Sequence, residues 1–267
     1  MKNWICAVIL VISLSFSGTC LSSQSSGLNA IFNGQKPDIK LVKEKLSLLT
    51  EYTTGKFKDI RSTDWFCPGT SKLVGMGGVE GYTDGTFKPQ NPIKVSEFVK
   101  LLLSSMGYKE ENHPQVWYKN YVDKATALGV IEPSDAYAYE SGMKRMDMAK
   151  MICRILNIQP KKSPAPVFSD TSGIDTSWID TAFSEYLIRG YYSKHSRTFK
   201  PTQTASRAEV CEMIVRALEY RDNPAEYKRY MAAHFAEAEK RQDDLDDGAL
   251  QNINGFVTKV PGRNSAL

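Results

Sequence analysis

Three stretches of the chain carry apolar residues at helical spacing. They contain Phe98, Leu101 and Leu102; Met148, Met151, Ile152 and Ile155; and Val210, Met213, Ile214 and Ala217. Each spacing predicts a helix with one buried stripe. An acid opens each stretch, Glu97, Asp147 or Glu209, and an aromatic lies ten residues before it, Phe87, Tyr137 or Phe199. A second helix is predicted upstream in each case, with a tryptophan at or near its start: Trp65, Trp117 and Trp178. A short Phe-x-Asp element precedes two of these, ending in Asp59 and Asp170. The repeated unit is helix, glycine-containing loop, helix. One such hairpin cannot bury its own stripe, whereas three can close a common core. The expected fold is all-α with little or no sheet, with Leu102, Ile152 and Ile214 deep in the core.

The first and third units share more than periodicity. The first reads "GYTDGTFKP" over 81–89, and the third has "GYYSKHSRTFKP" over 190–201 and Ser206-Arg207-Ala208-Glu209 at its helix start. Together with Phe-x-Asp and the tryptophan, these elements resemble the S-layer homology repeat of bacterial surface proteins. The resemblance covers 57–220 and is weaker in the second unit. It implies a pseudo-threefold helical bundle. It also implies non-covalent binding of secondary cell-wall polysaccharide, often a pyruvylated glycan, which holds proteins on the envelope. The units then span 57–108, 109–160 and 161–221.

Capping explains part of the motif. Ser206 and Glu209 form a capping box, and an acid suits the positive first turn of a helix, so Glu97, Asp147 and Glu209 read as structural. Arg207, and Arg145 at the same place in the second unit, have no use in capping. A planar cation beside free helix amides suits a carboxylate, such as that of a pyruvyl ketal. On this reading Arg207→Ala costs little stability and much binding. In the first unit Val95 stands at the arginine position and Lys94 at the cap, so the box is broken and the cation displaced. Trp65, Trp117 and Trp178 are either sugar platforms or core anchors. Asp59, Asp64 and Asp170 either cap helices or bind sugar hydroxyls. The glycan-binding set is therefore Arg207, Arg145, Lys94, Trp65, Trp117, Trp178, Asp59 and Asp170.

The ends add targeting. Residues 4–16 are an apolar run after Lys2, which predicts a signal peptide over 1–20. Cys20 after Ser17-Gly18-Thr19 is a loose lipoprotein box, the one route by which the chain would meet a membrane. Residues 21–56 are a tether and one basic helix. Residues 222–267 are a largely solvated charged helix, then an irregular tail. Cys67, Cys153 and Cys211 read as small buried hydrophobes, with no disulfide framework or zinc site. A net charge of +4 without a basic aromatic stripe argues against nucleic acid. Asp84-Gly85 lacks the ligands of a calcium loop, and P-loop and hydrolase motifs are missing. Neither a metal nor a cofactor is expected. The first expectation is a non-enzymatic envelope protein; the second is a lipid-anchored one whose bundle serves protein contacts.

Overall fold

The computed structural model describes residues 27–246, 250–253 and 256–259. The signal segment and Cys20 lie outside the described residues. Of the first of two units, which ends at Lys36, residues 27–36 are described, and 27–32 are helical. The second body begins at Pro37 and is mostly α, as expected. It opens with α1 (Ile39–Glu44) and α2 (Leu46–Lys56), broken at Lys45, where one basic helix was expected. The units follow: α3 (Cys67–Gly75) and α4 (Val95–Ser105), α5 (Lys119–Ala127) and α6 (Arg145–Ile155), α7 (Ser177–Ser184) and α8 (Arg207–Asp222). The three-residue excess in the third loop folds as a hairpin of β1 (Tyr191–Ser193) and β2 (Ser196–Thr198).

The units are not self-contained hairpins. Each second helix packs against the first helix of the next unit: α4 on α5, α6 on α7 and α8 back on α3. The second helices also meet, α8 touching both α4 and α6. Leu102, Ile152 and Ile214 are 0% exposed where they converge. The backbone closes the same cycle. Ile93 donates to the Ala205 carbonyl (3.1 Å), Ala205 to Met143 (2.8 Å) and Met143 to Ile93 (2.8 Å). Each residue in this ring gives one hydrogen bond and accepts one.

The motif residues hold the loops that feed this ring. Both oxygens of Asp59 accept backbone amides, from Phe87 and Lys88, each at 2.7 Å. Asp170 does the same for Phe199 (2.8 Å) and Lys200 (2.7 Å). Lys88 and Lys200 stand at φ 55° and 58°, a left-handed conformation costly for lysine and paid for by this carboxylate grip. Phe57 packs on Phe87 and Phe168 on Phe199, with ring centroids 5.7 and 5.3 Å apart. The same two rings press on Gly81 and Gly190, where an added Cβ would come within 2.3 and 2.5 Å of the ring. Phe87 and Phe199 are buried in the core.

Helix α9 (Pro224–Asp246) is largely solvated, as expected, but it buries Tyr227, Met231 and Phe235, one face at i, i+4 and i+8, against α8 and the third unit. The tail, expected to be irregular, pairs β3 (Leu250–Ile253) with β4 (Phe256–Lys259). Cys67, Cys153 and Cys211 are buried free thiols, and burial pushes those of Cys153 and Cys211 up to about 12. Because the core is shared, Leu102→Ala, Ile152→Ala or Ile214→Ala should each destabilise the whole bundle by about 2–4 kcal/mol. Denaturant unfolding followed by circular dichroism should show one transition, displaced as a whole in each variant.

Candidate glycan-binding grooves between the units

The N-terminus of each second helix is sealed by the loop of a neighbouring unit. In α8, Arg207 and Ala208 donate to the carbonyls of Asn91 and Pro89, both at 3.0 Å. In α6, Arg145 and Met146 donate to Gln203 and Pro201, both at 3.0 Å. In α4, Val95 and Ser96 donate to Ser141 (3.0 Å) and Tyr139 (2.9 Å). These amides are therefore not free, and the expected anion site at a bare helix start does not exist. Ser206 and Glu209 do form the full capping box. In the first unit half of it survives: Glu97 accepts from the Lys94 amide at 2.9 Å, while the Lys94 ammonium has no acceptor to offer.

The arginines act across units. Arg207 Nε donates to the Phe87 carbonyl (2.9 Å) and its Nη2 to that of Glu80 (3.3 Å). The guanidinium lies over Phe87 and Tyr82, 4.9 and 5.0 Å from their centroids. Arg145 repeats this on the third unit's loop, with Nε on Phe199 (2.8 Å) and the guanidinium 5.0 Å from both Phe199 and Tyr191. It also pairs with Glu209. Arg145 thus serves the third unit's loop rather than its own, and both arginines are clasps as well as candidate ligand contacts.

Three pseudo-equivalent grooves result, and they differ. Groove A, about 540 Å³, lies where α8 meets the first unit's loop. It brings together Gly77, Gly78, Glu97, Lys100, Trp117 and Arg207. The Lys100 ammonium sits 5.6 Å from the Trp117 ring and 5.5 Å from Tyr121, with a hydrogen bond to Asn112 at 3.3 Å. Groove B, about 240 Å³, holds Trp65, Arg145, Gly190, Glu209 and Glu212. Glu212 stands where groove A has Lys100, and burial raises its carboxyl above the usual range. The third interface, around α4, has Val95 in place of arginine and is filled by ion pairs. Asp135 takes Lys150 at 2.6 Å together with Arg154, which also reaches Glu132 at 2.8 Å. Arg154 covers the Trp178 ring at 5.2 Å. The Tyr137 hydroxyl is buried there without a partner, and burial raises the Asp147 carboxyl.

Of the expected residues, Arg207 and Trp117 meet in groove A, and Arg145 and Trp65 in groove B. Trp65 is 60% exposed. Trp178 is covered by Arg154, and Lys94 is paired with Glu140 at 2.7 Å on the surface. Asp59 and Asp170 cap no helix; both carboxylates are taken by the loop amides. Lys100 was missed, because it lies three residues after the motif's acid on a face that reads as solvated. Among the described residues no His, Cys, Asp and Glu cluster could hold a metal.

Arg145→Ala should cost about 1.5–3 kcal/mol, since it strips partners from a buried carbonyl and Glu209. Arg207→Ala should cost about 1–2 kcal/mol, from its carbonyl contacts and ring stacking, instead of the near-zero change expected from sequence. Thermal unfolding of the two variants would contradict the clasp role if both midpoints matched that of the wild type.

Comparison with known proteins bears on what these grooves belong to. A family model described as the S-layer homology domain matches residues 56–98. A middle cell wall protein of Brevibacillus brevis is 31% identical over 97 residues, 35% of this chain and 9% of that protein. A surface layer protein of Brevibacillus choshinensis is 32% identical over 89 residues, 33% of this chain and 8% of its own length. A cellulosome-anchoring protein of Acetivibrio thermocellus is 26% identical over 158 residues, 53% of this chain and 35% of its own. The chain spans a small part of these curated relatives. The matched residues run from the Phe-x-Asp element through the first unit's loop to the start of α4, the elements that form one wall of groove A. Residues 56–98 of this chain accordingly match the S-layer homology domain of bacterial surface proteins.

Proposed function

We propose that the protein binds a cell-wall polysaccharide non-covalently at the bacterial envelope, without catalysis, and that groove A is its principal site. All three units are taken as S-layer homology repeats in this reading. One observation carries it: Arg207 and Lys100 converge on groove A, and neither pairs with a carboxylate among the described residues. Arg207 spends only two of its five N–H donors on protein carbonyls. A guanidinium with donors to spare, an ammonium and an indole face together suit an acidic sugar. The cations take the carboxylate in charge-assisted bonds, and the ring takes the apolar sugar face. A pyruvylated sugar is the ligand assigned here. The names of the relatives, which speak of cell wall, surface layer and anchoring, support an envelope location.

A second reading, a bundle serving protein contacts, draws on the third interface, where ion pairs fill the groove. Sedimentation of the full chain with purified cell walls separates the two. The polysaccharide reading expects binding to vanish when the secondary polysaccharide is stripped, and Lys100→Ala with Arg207→Ala to weaken it by about 2–5 kcal/mol. Binding that survives stripping unchanged would favour protein contacts.

A further inference from the structure

A second trough, with Glu209 as its one charged lining residue, adjoins groove B and is absorbed by nothing above. It encloses about 770 Å³, within the roughly 300–1,000 Å³ of small-molecule sites. Trp65, Gln90, Gln203, Thr204 and Ser206 are among the residues that line it. Trp65, Tyr191 and Glu209 line both the trough and groove B, so the two are neighbours. The floor is rigid, because Pro92 and Ser206 are bridged beside the Ile93–Ala205 bond. Trp65 lies 60% exposed, its orientation fixed edge-on against Phe66 with centroids 5.5 Å apart. The Gln90 and Gln203 amides make no side-chain hydrogen bond to another described residue, so they have both donors and acceptors to give.

The charge pattern distinguishes this place from its counterpart. Gln90 and Ser206 occupy the positions that Glu140 and Lys94 hold around α4, where the two charges pair at 2.7 Å. Here the ion pair is replaced by uncharged side chains. The one acid, Glu209, is already engaged by Arg145, the Tyr191 hydroxyl (2.8 Å) and the Ser206 amide (2.9 Å). An open indole face beside outward amides and hydroxyls offers stacking for the C–H face of a sugar and hydrogen bonds for its hydroxyls or acetamido group. Its lining has no cation to pair with an anion.

We propose that this trough, with Trp65 as its platform, is a subsite for an uncharged sugar unit. The inference rests on the polysaccharide reading and adds that the protein contacts neutral units of the polymer as well as the acidic one. The test uses the full chain and a neutral N-acetylhexosamine disaccharide as probe, followed by tryptophan emission and by wall sedimentation. The expected result is a saturable emission change in the wild type, lost in Trp65→Ala. Wall binding should weaken about three- to tenfold in Trp65→Ala. The pair Gln90→Ala with Gln203→Ala, which touches no buried group, should weaken it too, with the thermal midpoint unchanged. No emission change with the disaccharide, or wall binding unaltered in both variants, overturns the proposal. If Arg207→Ala still weakens wall binding in that case, the polysaccharide reading stands without the neutral subsite. If wall binding survives removal of the polysaccharide, both readings fall.

Discussion

Everything in the bundle depends on a closed ring of three backbone hydrogen bonds, Ile93 to Ala205, Ala205 to Met143 and Met143 to Ile93. Each of these residues lies two positions before the first residue of a second helix. Once the ring closes, those helix starts are brought to the loops that cap them. Their first two amides donate to carbonyls of another unit, in the order α4 on the second loop, α6 on the third and α8 on the first. Buried helix amides need partners, and here only another unit supplies them. The helix packing runs round the same circle, each second helix on the next unit's first. No unit owns a complete core or a complete cap.

The grooves are a consequence of this exchange. Each is assembled from a loop of one unit, the helix start of another and a tryptophan or other wall residue of a third. Substitution at a few positions is then enough to give each groove a different chemistry. Lys100 in groove A becomes Glu212 in groove B, and the arginine of the other two becomes Val95 at the third interface. There the cations Lys150 and Arg154 turn to Asp135. Burial opposes that carboxylate's charge, but its bonds to Lys150, the Glu132 amide and Arg154 prevail and hold it below the usual range. A pseudo-threefold scaffold therefore presents one groove whose Arg207 and Lys100 have no carboxylate partner among the described residues, one whose arginine is paired with Glu209, and one filled from within.

Much of the fold was legible in the chain. The apolar stripes located the second helices, and the capping box at Ser206 to Glu209 marked the start of α8 to the residue. The Phe-x-Asp and Phe-Lys-Pro elements were visible as a correlated pair, but their purpose was not. Only three-dimensional proximity shows Asp59 and Asp170 holding lysines in a left-handed backbone. Arg145 and Arg207 look dispensable to the fold when each helix end is taken within its own unit, because their carbonyl partners lie in another unit. An amide that looks unpaired within its own helix is paired by a loop more than fifty residues away. The same locality hid Lys100, whose partners Trp117 and Tyr121 belong to the following unit, and the buried face of α9, whose apolar residues are spaced every four positions among charges. The additional strand pair β1–β2 follows from the third loop, which is three residues longer from Gly190 to Phe199 than the first is from Gly81 to Phe87, a length that by itself assigns no conformation.

Native-state hydrogen exchange at the amides of Ile93, Met143 and Ala205 tests the central claim most directly. If the three bonds form one cooperative closure, all three amides should exchange only through global unfolding. They should then share one opening free energy equal to that from denaturant unfolding. Exchange of any one of them through a local opening of clearly lower free energy, with the other two still protected, would contradict the account. It would mean that the units can part from the ring individually.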